Sequence, residues 1–177
     1  QAKMELRTFK RLVEMFTSPG DTILDPMSGV GTVHFANYMG RNTIACEIVP
    51  GFVELQNMNI KNLEKVWHNY DDTLEFYNDF DDFGWDFKAS NITDIGQSTI
   101  LEGDNRRTLP LEDQQADAVI FSPPYGSLWA FSGKANNRKV QLEKNYVVGY
   151  DANPQNIGNM TNYMQYLIAM KIVYQKC

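Results

Sequence analysis

The chain has 177 residues, 43% of them hydrophobic, with a formal net charge of −6. That length supports one domain with its own core. No apolar run reaches membrane-spanning length and the N-terminus carries no signal-peptide pattern, so a cytoplasmic protein is expected.

Phe9, Leu12, Val13 and Phe16 stand at i, i+3, i+4 and i+7, which predicts an amphipathic helix over residues 4–17. Ser18-Pro19-Gly20-Asp21 is a turn. Thr22-Ile23-Leu24 is a short strand, Asp25 to Gly31 a loop, and Thr32 to Met39 a helix stopped by Gly40. Asn42 to Glu47 is the next strand, and Pro50-Gly51 opens a helix to His68. Residues 70–97 are aromatic and acidic and read as a surface insertion. Thr99-Ile100-Leu101 is a third strand and Ala116 to Phe121 a fourth. Residues 126–158 form a long, Asn-rich, basic loop, of a length that is usually functional or disordered. A final helix carries Tyr163, Tyr166, Leu167, Met170, Val173 and Tyr174 on one face, still running at Cys177. Strands alternating with helices imply βαβ units and a parallel sheet, and the unfinished last face implies further strands in sequence beyond it. The two cysteines, Cys46 in a strand and Cys177 at the end, suggest free thiols rather than a disulfide framework.

The negative charge counts against a nucleic-acid partner in bulk, but it is unevenly spread. Asp71, Asp72, Glu75, Asp79, Asp81, Asp82 and Asp86 fall in one stretch without Lys or Arg. Lys134, Arg138, Lys139 and Lys144 lie close together, opposed only by Glu143. A polyanion would meet the second region, with Lys134, Arg138 and Lys139 as candidate contacts; the plain alternative is solvated surface.

Two loops carry the candidate chemistry. Asp25-Pro26-Met27-Ser28-Gly29-Val30-Gly31-Thr32 joins a strand to a helix, and its glycines permit tight turns and close ligand approach. A dinucleotide fingerprint would need a third glycine where His34 stands, and no Walker lysine is present. Asp25 at the strand end repels a pyrophosphate but suits a cationic amino-acid moiety. Glu47 ends the second strand roughly 20 residues on, where an acid binds ribose hydroxyls. Asp104, in Gly103-Asp104-Asn105 after the third strand, is placed to accept from an adenine amino group. S-adenosylmethionine matches this succession of acids at strand ends, although a lone acid there is more often a cap or turn residue. The second loop is Ser122-Pro123-Pro124-Tyr125, where two prolines end the fourth strand. Ser122 Oγ and the Pro123 carbonyl can accept the two N–H bonds of an exocyclic amine, and Tyr125 can stack on its ring. His34 and His68 lack metal-ligand spacing and read as structural; no metal is expected.

These segments resemble the motifs of the DNA amino-methyltransferases, over nearly the whole chain. Residues 3–18 look like motif X, with Phe9 a candidate cofactor contact. Pro19 to Thr32 is similar to motif I, Gly40 to Glu47 to the run into motif II, and Gly103-Asp104 to motif III. Ser122 to Tyr125 resembles the catalytic motif IV, and Ile157-Gly158 with the Tyr-rich helix resembles the segment before the fifth strand. The resemblance implies an α/β, Rossmann-like methyltransferase fold, a mostly parallel sheet with helices on both faces, as one catalytic domain over residues 1–177 with C-terminal strands still to come. It implies S-adenosylmethionine held by Phe9, Asp25, Pro26, Met27, Ser28, Gly29, Gly31, Thr32, Glu47, Asp104 and Asn105, and catalysis at Ser122, Pro123, Pro124 and Tyr125. It implies a DNA partner and a flipped base, and Ser in motif IV leans towards cytosine N4 over adenine N6. The family commonly has an aromatic at Met27 and a small polar residue at Val30, and many members with Ser in motif IV have the opposite motif order. An RNA base methyltransferase, a non-catalytic subunit of the same fold and a nicotinamide dehydrogenase are the competing readings; the Ser of motif IV, the intact Ser122–Tyr125 run and the missing glycine count against each in turn.

Overall fold

The computed structural model describes residues 4–68, 93–109, 115–124 and 153–177. Helix α1 spans Leu6–Phe16, and the Glu5 carboxylate caps it by accepting from the Arg7 and Thr8 amides. Strand β1 is Thr22–Asp25, followed by a 3-10 helix Thr32–Met39, β2 Asn42–Glu47 and α2 Pro50–His68. Then come β3 Ser98–Glu102, the single turn α3 Asn105–Thr108, β4 Ala118–Val119, a 3-10 turn Ile157–Asn159 and α4 Tyr163–Tyr174. The strands form one sheet in the order β3-β2-β1-β4, and every pair is parallel. The chain therefore steps outward from β1 to β3 and returns to the other side of β1, which makes the carboxyl ends of β1 and β4 the switch point of an α/β sheet. This is a Rossmann-like α/β architecture. No helix among the described residues is long and apolar enough to cross a membrane.

Period-two alternation puts the core on both sheet faces. Ile23 and Ala45 pack with Phe9, Val13, Val33, Ala36, Met39 and Ile120 on one side. Leu24 and Cys46 pack with Leu109 on the other, and the Leu109 carbonyl accepts from Lys176 beyond α4. Burial pushes the Cys46 thiol up to about 12, with Asp25, Cys177 and Glu47 adding to it.

Four sequence expectations need correction. Phe16, counted in the apolar stripe of the first helix, is 64% exposed, because the helix ends there and Arg41 packs on Thr17 instead. Residues 32–39 form a 3-10 helix rather than an α-helix. His34 and Asn37 both reach Ser98, and the i, i+3 eclipse of a 3-10 helix stacks them above it. The fourth strand is shorter than Ala116 to Phe121: β1 has only four residues, so pairing ends with the Ile120 amide on the Leu24 carbonyl. In α4 the buried stripe is Ala169, Met170 and Val173 beside half-buried Tyr166, while Tyr163, Leu167 and Tyr174 are exposed. The bulk of the expected insertion and of the basic loop, with Lys134, Arg138 and Lys139, lies outside the described residues, as does Tyr125. Their described ends are not loose, however. The Gly96 amide donates to the Asn37 carbonyl, and Asn156, Ile157 and Gly158 are buried.

Candidate active site

An open cleft of about 910 Å³, counting the solvent at its mouth, lies at the carboxyl ends of the strands. Its walls bring together most of the residues expected to act. Phe9 of α1, Asp25 to Gly29 and Thr32 of the glycine loop, Glu47, Asp104 and Asn105 all line it. Ser122, Pro123 and Pro124 line the same cleft, because β4 lies directly beside β1. Gly31 does not line it; it supports the loop from behind.

The strand ends are tied to one another by hydrogen bonds. The Ser28 amide donates to the Cys46 carbonyl at 3.0 Å, and the Gly103 amide to the Glu47 carbonyl at 2.8 Å. Asn105 Nδ2 donates to the Pro26 carbonyl at 2.7 Å. Glu47 is fixed by two backbone amides, Gly29 on Oε2 and Val49 on Oε1, each at 2.7 Å. Such charge-assisted bonds hold the carboxylate in one orientation.

Asp25 is buried at the floor, with Oδ1 accepting from the Met27 amide at 2.9 Å. Burial raises its pKa from 3.8 to about 7; the Met27 amide opposes this and the Glu47 charge adds to it. Two acids thus share a poorly solvated pocket, and a cationic group is the partner that would stabilise both. Asp104 caps α3 and accepts from Arg106 through its amide, Nε and Nη2. Burial pushes this carboxyl up, but the Arg106 bonds outweigh it and hold it below its ordinary range. Arg106 Nη2 also donates to the Gln155 carbonyl at 2.7 Å, tying residues 153–160 to the end of β3.

A buried polar chain underlies the glycine loop. Gln56 of α2 donates through Nε2 to the Gly29 carbonyl at 2.7 Å and to Ser28 Oγ at 3.0 Å. Its carbonyl must then accept from His34 Nε2 at 2.9 Å, which leaves Nδ1 to accept from the Thr43 hydroxyl at 3.0 Å, since the Ser98 proton goes to Asn37 Oδ1. Burial lowers the His34 pKa, with the Gln56 bond opposing it in part, so the ring is neutral in this role. Gly31, at φ 87°, sits against this pair; an added Cβ would stand 2.7 Å from His34 Cδ2 and 2.8 Å from Gln56 Cγ.

Four residues that the sequence reading did not single out for the site help to build it: Gln56, Arg106, Asn156 and Tyr166. Gln56 had a signal, being a polar residue in the apolar stripe Phe52, Gln56, Leu63 of α2. Arg106 stands two residues after Asp104. Asn156 has none; its Oδ1 accepts from Gly158, and its buried Nδ2 has no hydrogen-bond partner among the described residues. Tyr166 was counted only as apolar helix face. Among the described residues, no group of three or more His, Cys, Asp or Glu side chains could hold a metal ion.

The family model described as DNA methylase, of the N6/N4 type, matches residues 1–58, the stretch from α1 through the glycine loop and β2 into α2. The match covers a third of the chain and does not separate the cytosine-N4 from the adenine-N6 subtype. Among solved structures, the rRNA methyltransferase aviRa from Streptomyces viridochromogenes is similar at 19% identity and a TM-score of 0.46, over 72% of this chain. The similar part spans 61% of that protein's length. No curated protein matches.

Proposed function

We propose that this chain is a DNA amino-methyltransferase: it uses S-adenosylmethionine to methylate an exocyclic amino nitrogen, with cytosine N4 preferred over adenine N6. One observation carries the reading. The glycine loop, the buried acids Asp25 and Glu47 and the Ser122–Pro124 strand end face one cleft, across neighbouring strand tips.

The donor set fits the cofactor. Asp25 and Glu47 form an acidic floor that a cationic amino-acid group would relieve, and Glu47 is held rigid enough to accept from a ribose diol. Phe9 offers an apolar ring, and Asp104 with Asn105 closes the end suited to an adenine. Bound there, S-adenosylmethionine would supply an already activated methyl group.

The chain's own residues then have one task. An exocyclic base nitrogen is a poor nucleophile, because its lone pair is delocalised into the ring. Ser122 Oγ and the Pro123 carbonyl accept its two N–H bonds and turn the lone pair towards the cofactor side of the cleft. As the nitrogen pyramidalises and gains positive charge, both acceptors bind it more strongly, which favours the transition state over the ground state. Ser122 is too weak a base to take the proton first, so the proton leaves to water afterwards. A base cannot reach this cleft from within a duplex, so it enters flipped out or from a single strand, with Tyr125 as the stacking partner. Lys134, Arg138 and Lys139 are the basic residues that would meet the phosphates. The free thiols of Cys46 and Cys177 suit a reducing cytoplasm.

The test is incubation of the full-length protein with methyl-labelled cofactor and separate DNA and RNA pools, followed by nucleoside mass spectrometry. N4-methylcytosine in DNA supports the whole reading, and N6-methyladenine corrects the base. Label in RNA alone replaces the substrate, and no cofactor binding by calorimetry removes the proposal.

A further inference from the structure

We propose that Tyr166 is a positioning residue for the catalytic strand end, holding the Ser122–Pro124 segment through the Pro124 carbonyl. The inference rests on the reading of Ser122 and Pro123 above. The Tyr166 hydroxyl donates to that carbonyl at 2.9 Å, across 42 residues of sequence.

Among the described residues, sheet pairing does not hold this segment. The last ladder bond is the Ile120 amide on Leu24, and Pro123 and Pro124 have no N–H to donate. The prolines can be anchored only through their carbonyls. Fixed φ at both leaves ψ as the soft torsion, so pinning the Pro124 oxygen limits where the Pro123 oxygen, one peptide unit upstream, can point. That oxygen is one of the two proposed acceptors for the substrate amine.

Tyr166 is itself well placed for this. It lies in the first turn of α4, where Asn162 caps the helix by accepting from the Met164 and Gln165 amides. The Tyr166 amide donates to the Asn162 carbonyl at 3.0 Å. Its ring packs on the cluster of Ile157, Ala169, Met170 and Val173, which also takes up Met27 of the glycine loop and Phe121 before Ser122. Burial, with Tyr174 and Tyr163 nearby, raises the phenol's pKa, so it remains a donor at all ordinary pH. One side chain thereby links the rigid helix, the cofactor loop and the reactive strand end.

The test is Tyr166→Phe, with Tyr163→Phe on the exposed face of the same helix as control. Loss of one hydrogen bond predicts kcat lower by roughly 3- to 10-fold, with calorimetric affinity for S-adenosylmethionine within about twofold of wild type. Amide exchange at Phe121 and Ser122 should accelerate while exchange within β1 is unchanged. Unaltered kcat in Tyr166→Phe overturns the proposal, as does an equal effect of Tyr163→Phe or a loss confined to cofactor affinity. If the wild-type protein methylates neither DNA nor RNA, the functional reading fails on its own. Exchange then decides the contact alone: faster at Ser122 sustains the positioning role, and unchanged overturns it.

Discussion

Three glycines separate two costs that are usually merged. Gly31 has φ 87° and, as alanine, would place its Cβ 2.7 Å from His34 and 2.8 Å from Gln56. Gly20 has φ 95° but open space around the same position. Gly51, in the first turn of α2, has neither problem. A left-handed alanine costs about 1–2 kcal/mol from its own backbone. Forcing a methyl into packed surroundings costs about 1–3 kcal/mol more. Neither neighbour can yield freely, because His34 and Gln56 are both fully buried and bonded to each other. The expected losses are therefore about 2–5 kcal/mol for Gly31→Ala and about 1–2 kcal/mol for Gly20→Ala. Gly51→Ala should be neutral or stabilising by up to about 1 kcal/mol. Urea unfolding followed by circular dichroism reads all three, provided the m-values agree. If Gly31→Ala costs no more than Gly20→Ala, the polar chain beneath the glycine loop is not rigid and the account of that loop is wrong.

Asp25 gives a pH dependence whose sign is fixed by its raised pKa. In the ligand-free fold the carboxyl keeps its proton up to about pH 7, whereas the unfolded chain releases it near 3.8. Stability should therefore fall as pH rises through that window, by on the order of 4 kcal/mol. Asp25→Asn should flatten the fall in a urea midpoint series while weakening cofactor binding; a series indistinguishable from wild type would refute the burial argument. Glu47→Gln turns one acceptor into a donor facing a backbone N–H, and should cost about 1–3 kcal/mol of stability. No change on denaturant titration would mean that those two bonds are dispensable. Ser122→Ala should abolish methyl transfer and leave the calorimetric cofactor affinity nearly intact; retained turnover would exclude the acceptor role.

The strand–helix alternation, and with it the parallel sheet, was legible because each strand is a short, largely apolar run followed by Gly, Pro or an acid. Asp25, Glu47 and Asp104 were legible as strand-end acids for the same reason. The pattern of Asp104 held by Arg106, itself reaching Gln155, was not, since that bond joins residues 49 apart in sequence. Periodicity also misplaced the buried stripe of α4. Every position from Tyr163 to Tyr174 except Gln165 and Lys171 is apolar or aromatic, so hydrophobicity alone does not select a face. What selects it is contact with Met27 and Phe121, which lie on loops far back in the chain. The 3-10 winding of residues 32–39 escaped notice for a related reason: it is set by Ser98 and Thr43, not by the segment's own propensities.

The thin seam between β1 and β4 has a consequence for how the polypeptide is made. Ile23 faces Ala118, Leu24 faces Val119, and the Thr22 amide reaches Asp117 over 95 residues. During vectorial synthesis the first three strands can dock as soon as β3 emerges, but the free margin of β1 must wait for β4. At about 5–20 residues per second, the stretch from residue 103 to 119 takes roughly one to three seconds to appear. For that interval the nascent chain shows an unsatisfied strand margin to its surroundings, which is the moment at which a ribosome-bound chaperone would have something to hold.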